Sequence, residues 1–212
     1  MNMKVIIFGA TGTIGKALVK EAIKRKYEVT AAVRDPQHMT EQSEYLTVVQ
    51  ADILNPNSVT DVAKGHDAII SAYGPKFGEE EELLEATRSL LEGTRRSGAE
   101  RILVVGGAGS LKTENGERLM DTAEFPEEVK PLAAAHADAL ELYRAADVDW
   151  TYCSPAGMIE AGKRTGQFRI GLDHLVVDEL GHSRISVEDY AVALIDELVE
   201  GEFVNSRFTV GY

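Results

Sequence analysis

The stretch that decides the fold is Lys4–Gly15, which reads KVIIFGATGTIG. Its apolar run is typical of a buried strand and ends in glycines at positions 9, 12 and 15, with a helical pattern directly behind them. Glycines here permit a tight turn, close approach of a pyrophosphate and close packing of the helix on the sheet. The helix N-terminus also offers N–H groups to phosphates. The stretch therefore predicts a dinucleotide site, with an ordinary strand-to-helix turn as the alternative, since the usual spacing is G-x-G-x-x-G. The predicted loop residues are Gly9, Thr11, Gly12, Thr13, Ile14 and Gly15.

Strand-like and helical patterns alternate through most of the chain. Strands are predicted at Val5–Phe8, Val29–Val33, Leu46–Gln50, Ala68–Ser71, Ile102–Val105, Trp150–Cys153 and Phe208–Val210. Helices are predicted at Thr13–Arg25, Ser58–Ala63, Glu81–Arg96, Leu132–Ala145 and Tyr190–Val199, the last behind a capping-box signature at residues 186–189. Repeated strand–helix–strand units indicate an α/β fold, a Rossmann-type doubly wound parallel sheet with helices on both faces. We expect one NAD(P)-binding domain over residues 1–212, in which residues 155–183 form a small substrate lobe.

The composition narrows the classes of partner. The 212 residues carry 35 acidic and 22 basic side chains, a net charge of −13, which argues against nucleic acid. The single cysteine, Cys153, lies in an apolar run where a buried thiol is expected, and the five histidines are scattered, so no metal site is predicted. No signal peptide or membrane span is recognisable. We expect a cytoplasmic protein, a monomer or weak homodimer, with no membrane partner.

Two residues after the second strand compete for the cofactor's adenosine ribose. Asp35 follows the last glycine by about 20 residues, where an acid would hold the ribose hydroxyls of NAD. Arg34 would instead bind the 2′-phosphate of NADP through a charge-assisted contact. Arg34 leaves the strand first, and Pro36 directs Asp35 into an extended turn. The sequence therefore favours Arg34 and NADP(H) over NAD(H).

The ends of the third and fourth strands supply further candidates, because ligands bind such sheets at the carboxyl ends of the strands. Asp52 and Ile53 follow the third strand, and the Asp52 carboxylate would accept the adenine amino group or form an Asx turn. After the fourth strand, Ala72, Tyr73 and Gly74 are predicted to pass the cofactor. Tyr73 either contacts cofactor or substrate, or packs the turn.

The later strand ends supply the catalytic candidates. Gly106 begins a glycine-rich loop that is predicted to lie beside the nicotinamide, and Ser110 in that loop is either a hydroxyl donor or a solvated serine. His136 near the start of the long helix is either a substrate contact or an exposed helix histidine. After the sixth strand, backbone N–H groups are predicted to hold the carboxamide, around Ser154, Pro155 and Ala156.

Four segments resemble the atypical short-chain dehydrogenase/reductases, and within them the NmrA-like branch that includes NAD(P)H-flavin reductases and biliverdin reductase B. They are the opening glycine loop, residues 33–36, residues 104–110 and residues 183–191. The resemblance covers essentially the whole chain. It implies NAD(P)H bound across the strand ends and hydride transfer to a flavin, quinone or similar small acceptor.

One feature of the wider class is missing. Enzymes that act on alcohols and sugars use Tyr-x-x-x-Lys on the long helix, where alignment through Glu141 places Ala133 and Ala137. Alcohol oxidation and sugar-nucleotide epimerisation are therefore not expected. A flavin or quinone accepts hydride with less assistance, so a reductase with few catalytic groups is chemically coherent. The alternative is a regulator of the NmrA-like type that senses NAD(P) without chemistry.

Overall fold

A computed structural model describes residues 3–212 of the chain. It contains ten strands: β1 Lys4–Phe8, β2 Glu28–Val33, β3 Leu46–Gln50, β4 Ala68–Ser71, β5 Arg101–Val105, β6 Asp149–Ser154, β7 Met158–Glu160, β8 Arg169–Gly171, β9 Arg184–Ser186 and β10 Ser206–Gly211. The five α-helices are α1 Thr13–Lys24, α2 Pro56–Ala63, α3 Glu81–Ser97, α4 Lys130–Arg144 and α5 Val187–Glu200. Across residues 3–212, none of these helices has the length and apolar character needed to span a membrane.

The central sheet has eight strands in the order β3-β2-β1-β4-β5-β6-β10-β8. All neighbours pair in parallel except β10 and β8, which pair antiparallel. The chain builds outward from β1 to β2 and β3, and then returns to place β4 on the other side of β1. This reversal of direction leaves a crevice beyond the carboxyl ends of β1 and β4, where doubly wound sheets bind ligands. The predicted fold class is confirmed.

Two apolar cores cover the faces of the sheet. Ile7 of β1 packs in the core that also contains α1 and α5, whereas its neighbour Ile6 packs in the core that contains α2, α3 and α4. Successive residues of a strand point to opposite faces, so a strand buried on both faces must be apolar throughout. The continuous run of β1 therefore reflects helices on both sides.

The predicted starts of α2, α4 and α5 are late by two or three residues. Helix α2 begins at Pro56 because the Asn55 side chain accepts hydrogen bonds from the N–H groups that follow it. Helix α5 begins at Val187 because Ser186 is its N-cap and accepts a hydrogen bond of 3.0 Å from the Asp189 N–H. The predicted cap at Ser186 is thus confirmed, and it begins the helix one residue later.

Residues 155–183 contain short strands and long irregular segments. β7 pairs in parallel with β9, and β8 extends the central sheet beside β10. The apolar run at residues 175–177 is not a strand. The predicted domain begins at residue 1, and its first two residues lie outside the described part of the chain.

Candidate functional site

A cavity of about 190 Å³ lies at the carboxyl ends of four adjacent strands. Its lining comes largely from the residues that directly follow β1, β2, β3 and β4: Gly9, Thr11, Gly12, Arg34, Ala51, Ile53, Ala72, Tyr73 and Gly74. The crevice that the topology predicts is therefore a real concavity. It joins a glycine turn, one arginine and a small apolar wall.

The geometry of the opening loop explains each of its three glycines in a different way. Gly9 has a φ of +75°, and a Cβ there would lie 2.5 Å from the carbonyl carbon of Ala72. A Cβ on Gly15 would lie 2.8 Å from the Gly9 carbonyl carbon, so Gly15 lets α1 pack against the turn. Gly12 is different, since a Cβ there would meet only the Gly9 oxygen at 3.4 Å. Gly12 instead lines the cavity and keeps it open.

The first turn of α1 faces this cavity without a side-chain cap. Gly12 is the N-cap, no side chain caps it, and the first turn contains no acidic residue. The leading N–H groups of a helix have no partner within the helix and carry the positive end of its dipole. These features fit the phosphates of a dinucleotide, whose pyrophosphate would lie on Gly12 and the N–H groups behind it.

Arg34 and Asp35 are separated by their surroundings. Arg34 lines the cavity, and its carbonyl accepts a hydrogen bond of 3.1 Å from the Gln50 amide, which ties β2 to β3. The Asp35 carboxylate instead accepts a hydrogen bond of 3.0 Å from the Gln37 N–H and caps a short 3₁₀ helix. Among the described residues, Arg34 is therefore the charged side chain that lines the cavity.

The third strand contributes an apolar wall, and its acidic residue turns away. Ile53 and Ala51 are buried beside the cavity. The exposed Asp52 carboxylate accepts a hydrogen bond of 3.0 Å from the Leu54 N–H, which is the Asx turn. Of the two interpretations of Asp52, the structure supports the turn.

Tyr73 forms part of the cavity wall and is held by an acid. Its hydroxyl donates a hydrogen bond of 2.7 Å to Glu82 at the start of α3. Burial and this carboxylate raise the pKa of Tyr73, so the phenol stays protonated at neutral pH. The Tyr73 side chain is therefore an uncharged part of the cavity wall.

The glycine-rich loop after β5 packs against α4 and β6. A Cβ on Gly106 would lie 2.5 Å from Cδ1 of the Tyr152 ring and closer still to its Cε1, and one on Gly107 would lie 2.7 Å from the His136 Cβ. The Ala133 Cβ would meet a Cβ on Gly109 at 2.6 Å. These glycines therefore have packing reasons, and Gly106 does not line the cavity.

Ser110 has a different setting from the one predicted. Its hydroxyl oxygen accepts a hydrogen bond of 2.8 Å from Arg207 of β10, and Arg207 also forms an ion pair with Asp173. This network ties the loop to the edge of the sheet. Ser110 does not line the cavity, and its predicted catalytic role stays a prediction.

His136 is neither exposed nor charged. Its Nδ1 lies 3.2 Å from the hydroxyl of Tyr152, and that hydroxyl donates a hydrogen bond of 2.9 Å to the His136 carbonyl. Burial lowers the pKa of His136 to about 4. The ring is therefore neutral at physiological pH and is no source of an imidazolium proton, although it remains a hydrogen-bonding group.

The segment after β6 is enclosed. Ser154, Pro155 and Ala156 are all buried, and the neighbouring Gly157 N–H donates to the Ser183 hydroxyl at 3.0 Å. Within residues 3–212, the Ser154 Oγ has no hydrogen-bond partner. The predicted contact of this segment with a carboxamide stays a prediction, and Pro155 has no N–H to offer.

Eight of the sixteen predicted cofactor residues line the cavity. The other eight do not: Thr13, Ile14, Gly15, Asp52, Gly106, Ser154, Pro155 and Ala156. Thr13 and Ile14 begin α1, Ile14 packs on a core, and Gly15 supports the turn from behind. The candidates that line the cavity therefore all lie at the ends of β1, β2, β3 and β4. The described residues contain no cluster of side chains able to hold a metal.

Sequence reasoning missed a set of buried carboxylates next to the site. Asp189 is fully buried and accepts hydrogen bonds from the N–H groups of Thr165 and Gly166 at 2.7 Å each. Glu21 of α1 is buried and accepts two hydrogen bonds from Arg164. Together they fasten residues 161–166 across α1 and α5. The sequence marks Asp189 only as part of the helix-start signal at residues 186–189 and does not indicate that its carboxylate is buried.

Fold and cavity together define a Rossmann-type dinucleotide-binding protein. The sequence matches the family described as NAD(P)H-binding over residues 9–198. The chain belongs to this family, and its fold is that of the NAD(P)-binding reductases.

Three relatives extend over nearly the whole chain. The uncharacterized protein YwnB of Bacillus subtilis (strain 168) is 41% identical over 212 residues, 98% of each chain. A Bacteroides thetaiotaomicron structure, provisionally described as an epimerase, is 41% identical with a TM-score of 0.93, covering 100% of this chain and 98% of its own. A Streptococcus pneumoniae TIGR4 structure, provisionally described as an NADH-flavin reductase, is 38% identical with a TM-score of 0.83 and covers 99% of both chains.

Proposed function

We propose that the protein is an NADPH-dependent reductase that transfers hydride to a small acceptor of the flavin or quinone type. The observation that carries the proposal is the cavity at the strand ends, where Gly12 and Arg34 lie at one concave surface. A bound nicotinamide cofactor supplies the hydride. The relative provisionally described as an NADH-flavin reductase supports the same class of reaction.

The preference for NADPH depends on the two residues that follow β2. Arg34 lines the cavity, whereas Asp35 caps the short helix that follows it. A guanidinium can bind a 2′-phosphate through charge-assisted hydrogen bonds, and such contacts contribute about 1.5–3 kcal/mol. NADH lacks that phosphate and gains nothing from Arg34. The arrangement therefore favours NADPH.

The acceptor is of a kind that needs little proton transfer from the protein. Ala133 occupies the position of the usual tyrosine and is buried. His136 is neutral, and Ser110 is engaged by Arg207. A flavin or quinone takes hydride directly and takes its proton from water, so positioning is the main task of the protein. Epimerisation requires acid–base groups that these residues do not provide, so the description given to the Bacteroides relative is not carried over to this chain.

The acceptor side of the site is assigned to residues 155–183. Met158 and Leu180 in this segment expose 58% and 80% of their surface. The Asp178 carboxylate accepts hydrogen bonds from the N–H groups of Leu180 and His182, each at 2.9 Å, and so fixes the turn. Exposed apolar side chains on a fixed turn suit a planar ring. A cytoplasmic location and a monomer or weak homodimer complete the proposal.

The test is NADPH oxidation, followed by absorbance, with FMN, FAD and a soluble quinone as acceptors. We expect turnover well above the rate without protein, and a lower rate with NADH at the same subsaturating concentration. Leu180→Ser should raise the KM for the acceptor while the Kd for NADPH stays unchanged. NADPH binding without turnover on any acceptor would contradict the reductase and favour a cofactor-sensing regulator.

A further inference from the structure

A second cavity lies on the outer side of α1, away from the strand ends. Its volume is about 230 Å³, and its walls come from α1, from residues 161–164 and from the start of α5. Among the described residues, the two cavities share no lining residue. The charged side chains of the wall are Lys16, Lys20, Lys24, Arg164, Glu21 and Glu188.

The two acidic side chains of this wall already accept hydrogen bonds from other residues of the protein. Glu21 is buried and accepts hydrogen bonds from Arg25 and Arg164, at 2.8 Å and 2.7 Å. Burial alone would raise the pKa of Glu21, but these two guanidinium groups lower it, so the carboxylate is ionised. Glu188 accepts a hydrogen bond of 2.8 Å from the Gly162 N–H. Four cations against two acids leave this wall positive in a chain whose net charge is −13.

The three lysines form a row of exposed like charges along α1. They follow one another at intervals of four on α1, where like charges destabilise a helix by about 0.2–0.5 kcal/mol per pair. Lys20 lies 3.9 Å from Glu41, and within residues 3–212 neither Lys16 nor Lys24 forms an ion pair. Elsewhere, cations near helix ends pair with a carboxylate three positions away: Lys64–Asp61, Lys76–Glu79, Arg95–Glu92, Arg118–Asp121, Lys130–Glu127 and Arg144–Glu141.

We propose that this second cavity binds a small anion with two adjacent phosphate groups, separately from the dinucleotide. A bound diphosphate relieves the repulsion along the lysine row, and its charge matches the excess of cations. Among the described residues its lining contains no glycine turn of the kind that lines the first cavity, so a compact anion suits it better than a second dinucleotide. The site goes beyond the proposed reductase activity and does not depend on it.

The experiment is a calorimetric titration of the NADPH-saturated protein with inorganic pyrophosphate. We expect one pyrophosphate per chain, an affinity that weakens with added salt, and no competition from NADPH. The double variant Lys20→Gln/Lys24→Gln should weaken pyrophosphate binding about tenfold, as expected for the loss of two exposed charge contacts. NADPH binding should stay within about twofold of wild type in the same variant.

The control is Lys64→Gln/Lys130→Gln, which removes the same charge from two lysines that are paired elsewhere. It should leave pyrophosphate binding nearly unchanged. Three results would overturn the proposal: no binding at millimolar pyrophosphate, equal weakening by both double variants, or displacement of pyrophosphate by NADPH. Displacement would place the anion on the glycine loop. If NADPH fails to bind, the same titration without NADPH tests the anion site alone, so failure of the reductase proposal remains distinguishable.

Discussion

Gly15→Ala tests whether the opening loop depends on close packing of α1 against the turn. The new Cβ would lie 2.8 Å from the Gly9 carbonyl carbon and 2.9 Å from the Ala10 Cα, and closer still to the Gly9 oxygen. Favourable carbon contacts lie at about 3.5–4.0 Å, so α1 has to move by most of an ångström. All of these atoms are backbone and cannot rotate away. Overpacking of this kind costs about 3 kcal/mol, at the upper end of its usual range.

Part of that cost is offset, because alanine is favoured over glycine in a helix by about 0.5–1 kcal/mol. The net loss is about 2 kcal/mol, which lowers the Tm of a domain of this size by about 4–8 °C. Thermal unfolding followed by circular dichroism measures it. Gly12→Ala is the matched control, since its φ is −73° and its Cβ would have 3.4 Å to the nearest atom. That variant should keep its Tm and lose affinity for NADPH. Equal Tm values for Gly15→Ala and wild type would refute the packing argument.

Three further predictions concern ionisable groups. Burial alone would raise the pKa of Asp189, but hydrogen bonds from its neighbours lower that pKa. The Asp189 carboxylate therefore stabilises the fold above its unfolded pKa of about 3.9, and this stabilisation is lost as the pH falls through the pKa of the folded protein. Asp189→Asn should therefore lower the urea midpoint of unfolding at pH 7, and that midpoint should decrease less steeply as the pH is lowered. The same decrease with falling pH as in wild type would contradict this. The His136 ring should titrate by NMR near pH 4, and a midpoint near pH 6.5 would contradict its burial. Tyr73→Phe should lower the free energy of unfolding by about 1 kcal/mol and leave the Kd for NADPH unchanged, because only the bond to Glu82 is lost. Denaturant unfolding and a binding titration check both parts, and weaker NADPH binding would mean that the hydroxyl contacts the cofactor.

Much of the fold could be predicted because its signals are local. The strand Leu46–Gln50 was predicted with its observed bounds, and the glycines of the opening loop mark the turn on which the sheet is centred. Residues that directly follow a strand could be assigned to the crevice, since parallel strands end at one edge. Arg34 was found in this way.

The rest depends on contacts between distant positions. The hydrogen bond to Ser110 could not be predicted, because its donor Arg207 lies on β10, 97 positions away in the chain. Strand β8 was not predicted, because it has only three residues and these are largely exposed. It is a strand because it pairs with β10. Asp189 is part of the predicted helix-start signal, and α5 does begin there. Its hydrogen bonds to residues 165 and 166 could not be predicted, because they depend on the path of an irregular segment.

The central claim is that the cavity at the strand ends selects NADPH through Arg34. The most direct measurement is the Kd for NADPH and for NADH, by titration calorimetry, in wild type and Arg34→Ala. Arg88→Ala, an exposed arginine on α3, serves as the control. The account predicts tighter binding of NADPH than of NADH in wild type, and a loss of about 10- to 150-fold for NADPH alone in Arg34→Ala. Equal losses for both cofactors, or tighter binding of NADH by wild type, would contradict it.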